Sequence, residues 1–210
     1  METVRFYFSF RSPFAWLAFR RLPLALGGLP VTVRAVPVFP PPGFPNDPAV
    51  VPAKLAYVME DAARIATAYG LRLRAPTSID IDWMRPHAAY LHAADKGQSQ
   101  AFGEAVFAAR FGDDRDVGSD EVLADLAKAC GLEAAAVVAA AGDPGMHARV
   151  MEGMAAALGD RLFGVPMFIY RGERFWGNDR IEWLVRAIRR DLGMAVPDLV
   201  ADPLAPPVCA

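Results

Sequence analysis

The chain has 210 residues, of which 54% are hydrophobic and 22% charged, and its formal net charge is -2. This composition excludes a disordered, highly charged chain, and it provides no basic stripe of the kind that binds nucleic acid. No apolar run approaches the roughly 20 residues that cross a bilayer, and the N-terminus is typical of a strand rather than a signal peptide. No membrane partner is therefore expected, and the expected location is the cytoplasm.

The cysteines and histidines form no redox or metal motif. Cys130 and Cys209 are too far apart for a C-x-x-C pair, and neither suggests a structural disulfide. His87 and His92 are five residues apart and so fall on different faces of a helix. With His147 they are expected on helix surfaces or in a groove, and no metal site is expected.

The first forty residues predict a β-α-β unit. Apolar side chains alternate over residues 4–10, as in a largely buried strand. Ser12 supplies a helix N-cap and Pro13 the first helical position, so a helix is expected from there to about residue 24. A second strand is expected at 31–38.

The middle of the chain predicts helices only. A proline-rich loop at 40–45 leads out of the sheet, and the pattern is then helical from about Pro52 to Leu158. Glycines separate the helices at intervals suited to a compact helical domain. Beyond the first of them, the expected segments lie near 84–94, 100–111, 119–129 and 133–141.

Strands return after Gly164. Residues 166–170 predict a strand, Gly172-Glu173 a two-residue hairpin loop, and 174–176 the antiparallel partner. A last helix follows, with Asn178 as its N-cap.

The predicted order of elements is β-α-β, a helical insertion, then β-β-α. This is the order of the thioredoxin-like fold, an α/β fold with a mixed four-stranded sheet. We therefore expect the two parts of a thioredoxin-like domain at 1–45 and 161–210, with an inserted all-helical domain at 46–160.

Three segments carry a family resemblance: FYFSFRSPFAW at 6–16, PAKLAYVMEDAARIA at 52–66 and FGVPMFIYRGERFWGNDRIEWL at 163–184. Together they resemble the 2-hydroxychromene-2-carboxylate isomerases and their relatives, the kappa-class glutathione transferases. The resemblance covers nearly the whole chain. It implies glutathione as the cofactor and a homodimer as the assembly.

Ser12 is the expected catalytic residue. A helix N-terminus stabilises an anion, and redox proteins of this fold place the attacking cysteine of C-x-x-C there, whereas residues 12–15 are SPFA in this chain. Dithiol exchange is therefore excluded at this site. A thiolate must come from a ligand such as glutathione, to whose sulfur Ser12 would donate a hydrogen bond. The structural alternative is that Ser12 is only a helix N-cap.

The resemblance implies further glutathione-binding residues. A cis peptide bond is expected at Val165-Pro166, which would let the neighbouring backbone pair with the peptide of glutathione. Asn178 and Asp179 are expected at its γ-glutamyl end, where a carboxylate can pair with the ammonium. Lys54 is expected near the glycine carboxylate, and Asn46 matches a family asparagine upstream. The alternatives are helix capping for Asn178 and Asp179 and a solvated surface charge for Lys54.

A second substrate is expected between the sheet domain and the helical insertion. The segment IDIDWMRPHAAY at 79–90 is not a close match to the family there. In it, Trp83 can stack on an aromatic ring and Arg85 can bind a carboxylate with two hydrogen bonds. Packing and surface exposure are the alternatives for both.

The leading hypothesis is a glutathione-dependent isomerase of an aromatic unsaturated 2-oxo or chromene carboxylic acid. The thiolate would add to the conjugated double bond, allow rotation about it, and leave again. One alternative is a kappa-like glutathione transferase, which keeps the adduct. Another is a non-catalytic thioredoxin-fold binding or chaperone module, which failure to bind glutathione would favour.

Overall fold

A computed structural model of the chain describes residues 1–40, 51–78 and 81–196. Within these residues the predicted fold class is confirmed, because a β-α-β unit and a β-β-α unit flank a series of helices. In chain order the elements are β1 (Glu2–Phe8), α1 (Pro13–Leu26), β2 (Val31–Pro37), α2 (Pro52–Ala68), α3 (Met84–Asp95), α4 (Ser99–Phe111), α5 (Asp120–Ala129), α6 (Ala134–Ala141), α7 (Pro144–Gly159), β3 (Met167–Tyr170), β4 (Glu173–Trp176) and α8 (Ile181–Asp191). Among helices in the described ranges, none has the length and hydropathy of a membrane-spanning segment.

The four strands form one mixed sheet in the order β2-β1-β3-β4. β1 and β2 are parallel over their full length, with Glu2 opposite Val31 and Phe8 opposite Pro37. Parallel neighbours need a crossover connection, which α1 supplies. β3 is antiparallel to β1, with Tyr7 opposite Met167, and β4 is antiparallel to β3.

The hairpin loop between β3 and β4 differs from the predicted one. Tyr170 pairs directly with Glu173, so the two loop residues are Arg171 and Gly172. Both have positive φ, 48° and 83°. A type I′ turn needs positive φ at both central residues, which matches the twist of the flanking strands. The prediction of Gly172-Glu173 as the loop was therefore wrong by one residue.

Alternating side chains of β1 divide the core into two parts. Phe6 and Phe8 belong to the main cluster, which also contains buried residues of α1, α4 and α8. Tyr7 belongs to a smaller cluster with Met167 and with Ala157 of α7. Since successive side chains of a strand point to opposite faces, α7 covers the sheet face opposite to that covered by α1 and α8.

The end of α7 is bound to β1 by a polar group. Arg5 donates two hydrogen bonds to the Asp160 carboxylate, at 2.8 and 2.7 Å, and the Tyr7 hydroxyl donates a third at 2.7 Å. Burial alone would raise the pKa of Asp160, but these hydrogen bonds outweigh burial and lower it. The three side chains fix the helical part against the sheet at its junction with β3.

A close approach of α1 and α4 joins the sheet domain to the helices. A Cβ atom built on Gly103 of α4 would lie 2.4 Å from the Cζ atom of Phe19 on α1, so only glycine fits there. Phe19 also contacts Phe8 and Phe107, with ring centroids 5.3 and 5.6 Å away. This packing fixes α1, and with it the N-terminus that carries Ser12.

Candidate functional site

One end of the sheet brings three of the predicted segments into the same region: Ser12, Val165-Pro166 and Asn178-Asp179. Extending the register of β1 and β3 by one residue places Phe8 beside Pro166, and the chain turns from there into α1. The backbone N–H of Gly177 donates to the carbonyl oxygen of Pro166 at 3.0 Å. The start of α1, the segment before β3 and the segment after β4 therefore meet at this end.

Ser12 is the N-cap of α1, as predicted. Its backbone is extended, and its Oγ atom accepts a hydrogen bond from the N–H of Ala15 at 3.2 Å. Its own N–H donates to the carbonyl oxygen of Ser9 at 3.0 Å. A hydroxyl that accepts this bond still has its proton to donate. Capping and binding of an anion are therefore compatible roles for the same hydroxyl.

The first turn of α1 favours a negative charge beside Ser12. It contains no acidic residue that would repel an anion. The N–H groups at a helix start lack intrahelical acceptors, and the aligned peptide dipoles place partial positive charge there. The arrangement is therefore suited to a thiolate or another small anion.

His87 supports the segment that leads into Ser12. It is fully buried, and the rings of Phe10 and Phe39 lie 5.0 and 5.5 Å from its own. Burial lowers the pKa of His87 to about 4, so the imidazole is neutral at pH 7. In the consistent tautomer Nδ1–H donates to the Trp83 carbonyl at 2.5 Å, and Nε2 accepts from the Phe10 N–H at 3.4 Å.

The expectation that His87 lies on a helix surface or in a groove was therefore wrong. α3 presents it to the core, between the sheet and the helical part. The apolar neighbours Ala88, Ala89 and Tyr90, all buried, are the sequence signal that could have indicated this.

The cis peptide bond predicted at Val165-Pro166 is confirmed. Pro166 is buried, and Val165 is half-buried against the smaller core cluster. The bond lies directly before β3, at the end of the sheet where α1 begins.

Asn178 lies at this end but does not cap the last helix. Residues 178–180 form a short 3-10 helix before α8, and neither helix start has a side-chain cap. Asn178 is buried, and Arg21 of α1 donates to its backbone oxygen at 2.9 Å and to its Oδ1 atom at 3.4 Å. The predicted N-cap role was wrong because the helix starts three residues later and Arg21 uses the amide oxygen instead.

Asp179 presents its carboxylate to solvent. Its side chain is 69% exposed and forms an ion pair with the adjacent Arg180 at 2.8 Å. The preceding Gly177 has a φ of 116°, and a Cβ atom there would lie 2.4 Å from Oδ1 of Asp179. Glycine is therefore needed at 177 for the conformation that places this carboxylate.

The two predicted residues at the start of the helical part are Lys54 and Asn46. Lys54 is exposed in the first turn of α2, a helix that packs against α1. Asn46 lies outside the described residues, as does Cys209.

Arg85 has partners within the protein. Its Nε atom donates to the Gly118 carbonyl at 2.7 Å, and its Nη2 atom pairs with Asp120. These bonds connect α3 to the start of α5. They correspond to the structural alternative for Arg85 rather than to a carboxylate-binding role.

Trp83 is brought close to the residue that precedes Ser12. The guanidinium carbon of Arg11 lies 5.8 Å from the centroid of the Trp83 ring, and that of Arg110 lies 5.3 Å away. Sequence reasoning missed Arg110. The sequence pattern could have indicated it, because positions 103, 106, 107 and 110 have the spacing of one buried helix face and position 110 is the charged one among them.

The chain is similar to known proteins over most of its length. A curated relative, the 2-hydroxychromene-2-carboxylate isomerase of Sphingobium xenophagum, is 29% identical over 191 residues, covering 87% of this chain and 96% of the relative. A solved structure of a 2-hydroxychromene-2-carboxylate isomerase has a TM-score of 0.78 at 25% identity, covering 92% of this chain and 99% of that chain.

A probable DsbA oxidoreductase from Streptomyces coelicolor also has a TM-score of 0.78, at 23% identity, covering 97% of this chain and 95% of that chain. This likeness concerns the fold.

The resemblance read from the three sequence segments is confirmed by the isomerase matches. Residues 3–189 match the family described as the DSBA-like thioredoxin domain. The chain therefore belongs to the family of DsbA-like thioredoxin domains.

Proposed function

We propose that this protein is a glutathione-dependent isomerase of an aromatic unsaturated 2-oxo or chromene carboxylic acid. The observation that carries the proposal is the Ser12 hydroxyl at the N-terminus of α1, where C-x-x-C proteins of this fold have their attacking cysteine. The relatives named 2-hydroxychromene-2-carboxylate isomerase support the reaction class. A kappa-like glutathione transferase is the alternative that would use the same residues.

We assign the binding of glutathione to residues at this end of the sheet and to two residues at the start of the helical part. In the proposal the backbone of Val165 pairs with its peptide, and Asp179 pairs with its γ-glutamyl ammonium. Lys54 and Asn46 are assigned to the region of its glycine carboxylate. Two features support this assignment. The exposed carboxylate of Asp179 is negative and suits the ammonium of glutathione, and the first turn of α1, which has no acidic residue, suits its thiolate.

When bound, glutathione supplies a thiol whose anion can add reversibly to an activated double bond, which permits rotation about that bond. Ser12 contributes by donating a hydrogen bond from its hydroxyl to the sulfur anion. The start of α1 contributes peptide dipoles that are already oriented before the anion arrives, so no reorganisation is needed. His87 keeps the segment before Ser12 in place through its bond from the Phe10 N–H.

Two measurements on the purified protein test the proposal. Titration of the thiolate absorbance should show the pKa of glutathione falling from about 8.5 to about 6–7 in the presence of protein. Turnover of a 2-hydroxychromene-2-carboxylate should leave the concentration of free glutathione unchanged. Stoichiometric loss of glutathione would identify a transferase, and absence of binding at millimolar concentration would favour a non-catalytic module.

We further propose a homodimer in the cytoplasm, with the aromatic acid arising in aromatic degradation. Sedimentation equilibrium of the purified protein tests the assembly. A monomer at micromolar concentration would contradict it. Fractionation of the source cells tests the location.

A further inference from the structure

Arg110 is a buried cation with unused hydrogen-bond donors. Its side chain is in the buried stripe of α4, and the residue is only 6% exposed. Within the described part of the chain, its Nε and Nη1 atoms have no hydrogen-bond partner. Buried polar groups of native proteins are nearly always paired, because an unpaired charge in a low-dielectric site is strongly destabilising. Burial accordingly lowers the pKa of this guanidinium.

The acidic groups near Arg110 are bonded elsewhere. Asp114 and Asp116 act on it through their charge. The carboxylate of Asp114, however, accepts from the backbone N–H and hydroxyl of Thr77 at 2.7 and 2.8 Å. Oδ1 of Asp116 accepts from the N–H of Gly118 at 2.9 Å. Their charges therefore lower the cost of burying the Arg110 guanidinium without pairing its Nε and Nη1 donors.

An aromatic ring and a second cation complete the surroundings. The Trp83 ring has Arg110 at 5.3 Å and Arg11 at 5.8 Å from its centroid. Arg11 opposes the charge of Arg110 through Coulomb repulsion. Two guanidinium groups lie near one indole ring, and the two buried N–H donors of Arg110 lack an acceptor, which an organic anion could supply.

The cluster lies at the start of α1. Arg11 directly precedes Ser12 in the chain. Trp16 of α1 stacks on Phe111, the neighbour of Arg110, with ring centroids 6.0 Å apart. Arg110 therefore lies on the helix that packs against α1, and it shares the Trp83 ring with Arg11, the residue that precedes Ser12.

We propose that Arg110 binds the carboxylate of the aromatic substrate and that Trp83 packs against its unsaturated or aromatic portion. A guanidinium matches a carboxylate with two parallel hydrogen bonds, and desolvation strengthens such a pair. This role replaces the one expected for Arg85, whose donors bind Gly118 and Asp120. The choice of ligand rests on the proposed function.

Removing the charge should not destabilise the free protein. If Arg110 is kept for a ligand, then Arg110→Met removes an uncompensated buried charge while filling most of the same volume. The melting temperature of the unliganded variant should equal or exceed that of the wild type. A decrease of several degrees would show that Arg110 stabilises the fold instead, and would overturn the inference.

The binding experiment uses the full chain without glutathione. Isothermal titration compares trans-cinnamate with the neutral, nearly isosteric cinnamamide. The wild type should prefer the carboxylate by about tenfold to a hundredfold, the range of a charge-assisted pair. Arg110→Met should lose this preference but keep its affinity for the amide. Arg110→Lys keeps the positive charge but lacks the paired N–H donors of a guanidinium, so it should retain part of the preference for the carboxylate.

Arg115→Met is the matched control, because Arg115 follows α4 but pairs on the surface with Asp125 at 2.7 Å. It should keep the full preference. Equal binding of both probes by the wild type, or an unchanged preference in Arg110→Met, would overturn the inference. The failure of this inference can be distinguished from the failure of the proposed function. If the wild type prefers the carboxylate but does not lower the pKa of the glutathione thiol, Arg110 is supported as the anion site and the proposed isomerase is contradicted.

Discussion

Arg21 in α1 donates a hydrogen bond of 2.9 Å to the backbone oxygen of Asn178, a residue 157 positions later in the chain. The same guanidinium pairs with Glu182 of α8 and lies 5.6 Å from the centroid of the Tyr69 ring. It thus connects α1 to the short helix that carries Asp179. Arg21 is a positioning residue for one end of the proposed glutathione site.

Replacement of Arg21 should therefore affect both stability and glutathione binding. Arg21→Met keeps the apolar stem but leaves the Asn178 oxygen without its charged donor, which should lower the free energy of unfolding by about 1.5–3 kcal/mol. Urea melts measure this change. Glutathione affinity should fall severalfold in isothermal titration, because the 178–180 segment loses its support.

The adjacent Arg20 offers a matched control. In its ion pair with Glu104, 47% of the arginine side chain but only 23% of the glutamate side chain is accessible. A half-exposed pair contributes about 1 kcal/mol, so Arg20→Met should cost less stability than Arg21→Met and should leave glutathione affinity unchanged. Equal effects of the two substitutions would contradict the positioning role of Arg21.

Ser12 has a capping role and a proposed catalytic role, and two substitutions separate them. Ser12→Ala removes the oxygen that accepts from the Ala15 N–H and should cost about 0.5–2 kcal/mol of stability. Ser12→Gly should cost only about a few tenths of a kcal/mol, because glycine is tolerated at an N-cap. Both substitutions remove the hydroxyl and should reduce turnover by roughly tenfold to a thousandfold. Steady-state kinetics and urea melts measure the two effects. Full activity of Ser12→Gly would show that Ser12 is only a cap.

Asp179→Asn should weaken glutathione binding more than it weakens the fold. The loss of a charge-assisted bond to the γ-glutamyl ammonium predicts about 1.5–3 kcal/mol, or roughly tenfold to a hundredfold in affinity. The side chain is mostly exposed and its pair with Arg180 is solvated, so the loss of stability should be well below 1 kcal/mol. Isothermal titration and urea melts compare the two. Normal affinity combined with earlier unfolding would remove Asp179 from the site.

His87 should make the fold sensitive to mild acid. Its pKa is lowered by burial to about 4, from a usual value of 6.5, so between these values the unfolded chain binds a proton that the folded chain does not. This contribution is fully present above pH 6.5 and is lost as the pH falls toward 4. By pH 5 the stability lost through His87 should amount to about 2 kcal/mol.

Urea melts at pH 7.5, 6 and 5 measure the effect, with His87→Gln as the comparison. At pH 7.5 the variant reports only the cost of the changed side chain. If the wild type and the variant lose stability in parallel between pH 6.5 and 5, the histidine is not the source of the acid sensitivity.

The local signals of the sequence determined most of the fold. Apolar alternation located β1, the Ser12-Pro13 pair located the start of α1, and helical periodicity located α3 to α6 to within about two residues. These features depend on neighbours a few positions away, which is why a single sequence reveals them. The resemblance then indicated the cis bond at Val165-Pro166.

Tertiary structure decided the features that depend on distant partners. Asn178 lost its expected capping role because Arg21 reaches it from α1, and Arg85 is bound by Gly118 and Asp120 of another segment. The burial of His87 and Arg110 follows from how α3 and α4 pack on the sheet and on each other. Hydrogen-bond satisfaction and desolvation are set by atoms that meet only in the folded chain, so the sequence could indicate Ser12 as the candidate catalytic residue but not the side chains that surround it.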